Sequence, residues 1–237
     1  MKISVALASC DGERWIRSQV ESILSQLGAD DELVVADASS TDRTLEILEE
    51  FGDARIRLLP GLPRGDIPGS FEKALVACEG EIIFLSDQDD LWLPGKVELC
   101  RETLQDSGAD LVVHDARICG PDGEILSESF LADRRFAPGF WRNLWRPGYL
   151  GCALAFRRPL LHRALPFPAR VPMHDWWLGL VAERGEGVVV LRIPLILHRR
   201  HPRNANFEPG RSPYGWARRS SFRIRIGSAI ALRTFLR

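Results

Sequence analysis

The segment Asp87-Gln88-Asp89-Asp90 places three carboxylates within four residues, directly after an apolar run. At ~4 Å and an effective dielectric near 20, each pair of such charges repels by about 4 kcal/mol. A hard divalent cation, Mn²⁺ or Mg²⁺, bound through carboxylate oxygen and completing its shell with phosphate and water, would offset that repulsion. The alternative is that some of these acids cap the helix expected to enter at Trp92-Leu93-Pro94. Asp90, nearest that helix, is the one expected to be only a cap.

Two further polar clusters also follow apolar runs. One is Ser9-Cys10-Asp11-Gly12; the other is Asp37 with Ser39-Ser40-Thr41-Asp42. In an open parallel sheet, ligands bind beyond the carboxyl ends of the strands, so the three loops are expected to share one edge.

The elements that must position them are legible as alternation. Strand-like runs fall at residues 3–8, 33–36, 56–59, 82–85 and 111–113. Between the first two, Ile16, Val20, Ile23, Leu24 and Leu27 are spaced by helical steps that put an apolar stripe on one face. Leu45, Leu48 and Phe51 suggest a second helix, and residues 71–77 and 96–104 two more. Strand and helix in turn imply a mostly parallel, Rossmann-like α/β sheet with helices on both faces.

After about Ala116 the pattern changes. Gly120-Pro121-Asp122-Gly123 is a turn signal, and residues 130–149, rich in aromatics, arginine, glycine and proline, read as loop. Trp141 and Trp145, four apart, are expected on a packed helical face. Order returns with a strand at 152–156, a short helix after Pro159, a helix over 175–183 and a strand at 188–191. Cys10, His114, Asp115 and His174 lack partners at recognised ligand spacing and are expected to pack without a chemical role.

At 237 residues, with 45% hydrophobic and 27% charged side chains, the chain suits one globular enzyme domain rather than two. Five cysteines without a Cys-x-x-Cys pair point to reduced thiols and a cytoplasmic setting. No apolar run reaches ~18 residues, and the N-terminus has no charged leader. The net charge of -1 hides an uneven distribution: from His198 onward there are ten arginines and one acid, Glu208. The tail interleaves arginine with apolar residues, which suits either the inner face of an anionic plasma membrane or a helix docked on the domain. With no binding module for it, nucleic acid is not an expected partner.

Taken together and in order, these motifs resemble the family 2 glycosyltransferases of the GT-A fold, from Ile3 to about Asn206. Residues 3–12 resemble the family's opening strand and loop, Asp37-Ala38-Ser39-Ser40-Thr41-Asp42 its Asp-x-x-Ser-Thr-Asp turn, and residues 86–96 its Asp-x-Asp-Asp-x-Trp-x-Pro segment. This chain departs from the family's frequent forms at Cys10-Asp11, Ala38 and Ser70. The resemblance implies a nucleotide-sugar donor, UDP- or dTDP-linked, contacted by Ala8, Ser9, Asp11, Glu13, Asp37, Ser39, Asp87, Gln88 and Arg200. It implies a divalent metal at Asp89, with Asp87 and His201 completing its protein ligands.

Asp175, in Met173-His174-Asp175-Trp176-Trp177, resembles the family's acidic motif and would be the base that takes the acceptor proton, in preference to a mere N-cap. His201 stands in His198-Arg199-Arg200-His201-Pro202-Arg203-Asn204, where Arg203 is a weaker phosphate candidate and His198 is expected to be solvated.

A GT-A domain would then cover residues 1–210, with a nucleotide-sugar half at 1–116, a loop-rich acceptor half at 117–210 and a basic tail at 211–237. The acceptor would be lipid-linked or a saccharide. The Ser-Asp-Gln-Asp-Asp form resembles members that build bacterial surface polysaccharides, including rhamnosyl transfer. A sugar nucleotidylyltransferase would need a Gly-rich basic loop after the first strand, and a dehalogenase-like phosphatase an Asp-x-Asp-x-Thr there. An inactive membrane scaffold would have little reason to retain Asp37, Asp87, Asp89 and Asp175 together.

Overall fold

The computed structural model describes residues 1–169, 171–202, 204 and 216–235. Arg203, the expected boundary at residue 210 and the side chains of Arg218 and Arg219 lie outside them.

The first half alternates as expected: β1 (Ile3–Ser9), α1 (Ile16–Leu24), β2 (Glu32–Asp37), α2 (Thr44–Glu50), β3 (Ile56–Leu59), α3 (Ile67–Ala77) and β4 (Ile82–Asp87). The strands lie in the order β3-β2-β1-β4, all parallel. β1, β2 and β4 are covered on both faces, which is why they read as unbroken apolar runs rather than alternating ones. α1 buries Ile16, Val20 and Ile23 as its spacing requires. In α2 the buried face is Thr44, Ile47 and Leu48, one step round from the expected stripe. α3 starts at the N-cap Asp66, whose carboxylate accepts from the Gly69 amide.

The second half adds β5 (Leu91–Trp92), α4 (Lys96–Ser107), β6 (Leu111–Cys119), β7 (Ile125–Ser127), α5 (Phe130–Arg134) and α6 (Phe140–Trp145). Then come β8 (Leu154–Arg157), α7 (Arg158–Ala164), α8 (His174–Ala182), β9 (Val188–Arg199) and α9 (Trp216–Phe235). β8 extends the sheet antiparallel to β4, followed by β6, β9 and β5; β7 pairs with β6.

Two expectations are corrected. Residues 130–149 are not all loop but include α5 and α6. α5 is set by the Ser129 N-cap, whose hydroxyl accepts from the Ala132 amide. β9 does not stop at Leu191 but runs on to Arg199 after a register shift against β6. Pro194, which lacks an amide hydrogen, sits at that shift, so the strand resumes beyond a break that sequence alone reads as an end.

One hydrophobic core runs across both halves of the sheet, from β1 and β2 through Phe84 and Phe156 to Trp177. The basic tail helix α9 joins it through Ile226 and Ile230. Trp177 is fully buried, its indole NH donates to the Ala164 carbonyl at 2.9 Å, and the Arg233 guanidinium lies 5.0 Å from the ring centre. Trp177→Ala is expected to cost about 3–5 kcal/mol, seen as a lower urea midpoint with an unchanged m-value.

Candidate active site

The acidic turn is placed by strand pairing on both sides. On the N-terminal side, β4 pairs with β1 so that Asp87 lies beside Ala8, and β1 pairs with β2 so that Ser9 lies beside Asp37. The next residues of both loops therefore meet. Gln88 clamps the backbone of Cys10, accepting from its amide at 2.7 Å and donating to its carbonyl at 2.9 Å. Asp37, fully buried, accepts from Ser9 Oγ at 2.8 Å, Ser40 N at 2.8 Å and Ser40 Oγ at 2.6 Å. Asp11 accepts from the Thr41 amide at 2.8 Å and pairs with Arg64. Glu13 accepts from the Arg43 amide at 3.2 Å, and Ser39 Oγ donates to the Leu62 carbonyl at 2.8 Å. Asp11 and Ser39 both hold left-handed backbone, with φ of 48° and 56°. Such conformations cost of order 1–3 kcal/mol each and persist only where surrounding bonds fix them.

On the other side, β5 pairs antiparallel with β9, Leu91 opposite Leu197. One residue back from Leu91 and one on from Leu197, Asp90 comes against His198. Asp90 Oδ1 lies 2.8 Å from His198 Nδ1 and accepts from the Arg199 amide at 3.1 Å. Asp90 therefore does not cap a helix, because α4 begins at Lys96 behind Gly95. Nor is His198 solvated, since it is buried in this pair. Beyond it, His201 Nε2 lies 2.7 Å from Asp89 Oδ2, and Asn204 donates to the same oxygen at 3.0 Å. The His201 ring stacks on Trp15 with centres 4.3 Å apart. Arg200 holds its amide on the Cys119 carbonyl at 2.8 Å, while Arg199 donates to the Asp89 carbonyl at 3.0 Å.

Asp175 enters from α8. It lies in the first turn of α8, accepts from the Trp176 amide at 2.7 Å and is also hydrogen-bonded by the Gly151 amide. Its side chain does not cap α8 from outside, since the N-cap residue is Met173. Gly151 leads into Cys152, which forms a group with Asp87, Asp90 and His198, all but Asp87 buried, whose ligand atoms all lie within 4.8 Å of one another. The base candidate and the acidic turn thus flank the same two residues. Gly151 packs closely there: a Cβ would stand 3.0 Å from His174 Nε2 and 3.6 Å from Asp175 Cβ. His174 itself is stacked on Phe71 at 3.8 Å, and burial holds its imidazole neutral with a pKa of about 3.

The charges respond to this crowding. Burial, then the negative charges of Asp90 and Asp89, push Asp87 up to about 8, with a smaller contribution from Asp175. Burial would raise Asp90 as well, but His198 carries it below its ordinary value. The reciprocal holds for His198, which burial would lower and Asp90 raises. Lys96, fully buried, donates to the Cys152 carbonyl at 2.8 Å and lies 4.0 Å from the Trp92 ring centre; burial lowers it to about 8. Burial alone raises Asp175 to about 6, against the opposing backbone hydrogen bonds.

A divalent cation fits this donor set. Carboxylate and imidazole ligands converge at Asp89 and His201, and Asp87 in the same turn is pushed toward its neutral form by burial and then by the negative charges of Asp90 and Asp89, a cost that a bound cation would offset.

The structure places Asp87, Asp89, His201 and the two loops, all singled out in the sequence, at one edge. Lys96, Cys152, Arg199 and Asn204 were not singled out. Asn204 carried a readable signal, three residues after His201 in the same polar stretch. Asp115, expected to be structural, accepts from the Ala116 and Leu131 amides and from Ser129 Oγ. Trp141 and Trp145 do share a helical face, but that face is 76% and 73% exposed rather than packed.

The model of the family described as Glycosyl transferase family 2 matches residues 4–165, and the chain belongs to that family. Among curated relatives, an uncharacterized glycosyltransferase of Nostoc sp. is 26% identical over 174 residues, 70% of this chain and 54% of the relative. The dTDP-rhamnosyl transferase RfbG of Shigella flexneri is 26% identical over 213 residues, 84% of this chain and 72% of the relative. Among solved structures, S. aureus TarS in complex with UDP-GlcNAc aligns with a TM-score of 0.71 at 19% identity, covering 98% of this chain and 66% of TarS. The mannosyltransferase PcManGT from Pyrobaculum calidifontis, in complex with GDP-Man and Mn²⁺, aligns with a TM-score of 0.68 at 20% identity, covering 97% of this chain and 64% of its own. The fold is the GT-A fold, and the chain spans about half the length of the Nostoc relative and about two-thirds of these solved neighbours.

His198→Ala removes the counter-charge of a carboxylate that is fully buried. It is expected to lower unfolding free energy by about 3–5 kcal/mol, measured by guanidinium titration at neutral pH.

Proposed function

We propose that this glycosyltransferase moves a sugar from a nucleoside diphosphate donor, UDP- or dTDP-linked, to a hydroxyl of a lipid-linked or saccharide acceptor, with inversion at the anomeric carbon. The supporting observation is that Asp89 and His201, 112 residues apart, meet at 2.7 Å on an edge that also carries the Asp11 and Asp37 loops. Asp87, Asp89 and His201 would hold Mn²⁺ or Mg²⁺. Bound there, the ion supplies charge neutralisation for the diphosphate leaving group.

The protein's own groups divide the remaining work. Ala8, Ser9, Asp11, Glu13, Asp37 and Ser39 shape the donor side, with Gln88 fixing the first loop against the acidic turn. Arg200 supplies a guanidinium for a phosphate oxygen. Asp175 takes the acceptor proton as the hydroxyl attacks. With one base and direct displacement, the sugar leaves with the opposite anomeric configuration. The relatives' names favour surface-polysaccharide synthesis, RfbG being a dTDP-rhamnosyl transferase.

A base must be deprotonated to accept a proton, and Asp175 titrates at about 6. Transfer with Mn²⁺ is therefore expected to be maximal above that pH and to fall about tenfold per unit below it. Asp175→Asn is expected to lose about 10²–10⁴ in kcat while donor affinity holds. Steady-state rates across pH, with the product anomer assigned by NMR, check both. An acid limb that is absent, or an Asp175→Asn enzyme with full activity, would remove Asp175 from the role.

A further inference from the structure

We infer that α6 and the outer face of α9 form one surface that seats the enzyme on an anionic lipid bilayer. The inner face of α9 is already used: Ile226 and Ile230 are buried in the core, with Phe222 and Ala229 packed beside them. Arginines pin the helix at two places. Arg233 donates to the Arg163 carbonyl at 2.7 Å, and Arg223 to the Trp145 carbonyl at 2.7 and 3.1 Å. Docking therefore leaves the opposite face turned outward, where Ile224 is 69% and Leu232 64% exposed.

That face continues onto α6. The Arg223 guanidinium lies 4.9 Å from the Trp145 ring centre, which makes Trp145 the immediate neighbour of the α9 residue preceding Ile224. Trp141 is one helical turn away on the same side of α6. Two largely exposed tryptophans beside exposed aliphatic residues form the composition that favours a membrane interface, where an amphipathic ring sits at headgroup level.

Charge selects the partner. Residues 216–235 carry five arginines and no acid. Arg142 and Arg146, which flank the tryptophans, and Arg225 on α9 are all exposed. A basic rim around an apolar patch complements phospholipid headgroups of negative charge. Among the described residues no helix is long and apolar enough to cross a membrane, so the contact is peripheral.

The surface also adjoins the acceptor side. The Trp176 indole donates to the Asn143 carbonyl of α6 at 2.8 Å, and Trp176 follows Asp175. On the proposed reading of the site, on which this last point rests, seating α6 on the bilayer brings the base near the headgroup layer where a lipid-borne acceptor presents its hydroxyl.

The test is co-sedimentation of the full chain with phosphatidylcholine vesicles with and without phosphatidylglycerol, without donor or metal. Binding is expected only with the anionic lipid and should weaken with salt. Trp141→Ala/Trp145→Ala and, separately, Arg225→Glu should each reduce partitioning by about tenfold or more, with thermal melting and Mn²⁺-dependent nucleotide binding unchanged. Absence of binding, equal binding to neutral vesicles, or a double variant that binds like the parent would overturn the proposal. So would light scattering that shows a dimer broken by the tryptophan substitutions, because the patch would then be covered by a second copy. Vesicle binding needs no catalysis, so its failure leaves the transfer reaction standing, and failed transfer leaves this surface standing.

Discussion

Three carboxylates are forced together where β4 ends, and the sheet gives them little room to separate. Ala8 beside Asp87 fixes one flank and the β5–β9 register fixes the other. Repulsion of about 4 kcal/mol per pair at an effective dielectric near 20 has to be met locally, and the protein meets it unequally. Asp90, deepest, is answered by His198 and by the Arg199 amide, and Lys96 lies buried behind the turn. Asp89 is met by His201 and Asn204. Among the described residues Asp87 receives no comparable partner, and it is driven toward its neutral form. The protein therefore neutralises the turn most completely at Asp90, while Asp87 and Asp89 are the carboxylates that the proposed cation would share.

This division explains why the site draws on residues far apart in the chain. The parallel half supplies loops at one edge, as strand order alone dictates. The counter-charges come from β9, which reaches the turn only because it resumes after Pro194. Asp175 is tied in through Gly151, whose amide it accepts and whose missing side chain leaves space for the neutral His174 ring. A Cβ at Gly151 would press on the His174 ring and also reach the Asp175 side chain.

How much of this was legible depended on the kind of signal. The β1–β4 strands, α1 and the shared loop edge follow from apolar runs and helical spacing, because local pattern and tertiary burial agree there. His201 was visible from its polar stretch. Its neighbour His198 was misread, since an Arg-rich segment reads as solvated unless the register opposite Asp90 is known. The same holds for Asp90, which looks like a cap only if a helix starts at Trp92; instead β5 intervenes and α4 waits until Lys96. Trp141 and Trp145 had the right period and the wrong side. Spacing reports a face but not what lies against it, and α9 meets α6 through Arg223 at the edge of that face.

On the proposed function, the cation binds on the outward side of the acidic turn and not among its buried groups. Anomalous diffraction from crystals grown with Mn²⁺ and a nucleoside diphosphate measures this directly. One manganese peak is expected, bounded by the Asp87 and Asp89 carboxylates and the His201 imidazole, with the diphosphate on its open side. A peak among Asp90, Cys152 and His198, or a bound nucleotide with no manganese beside Asp89, would contradict it.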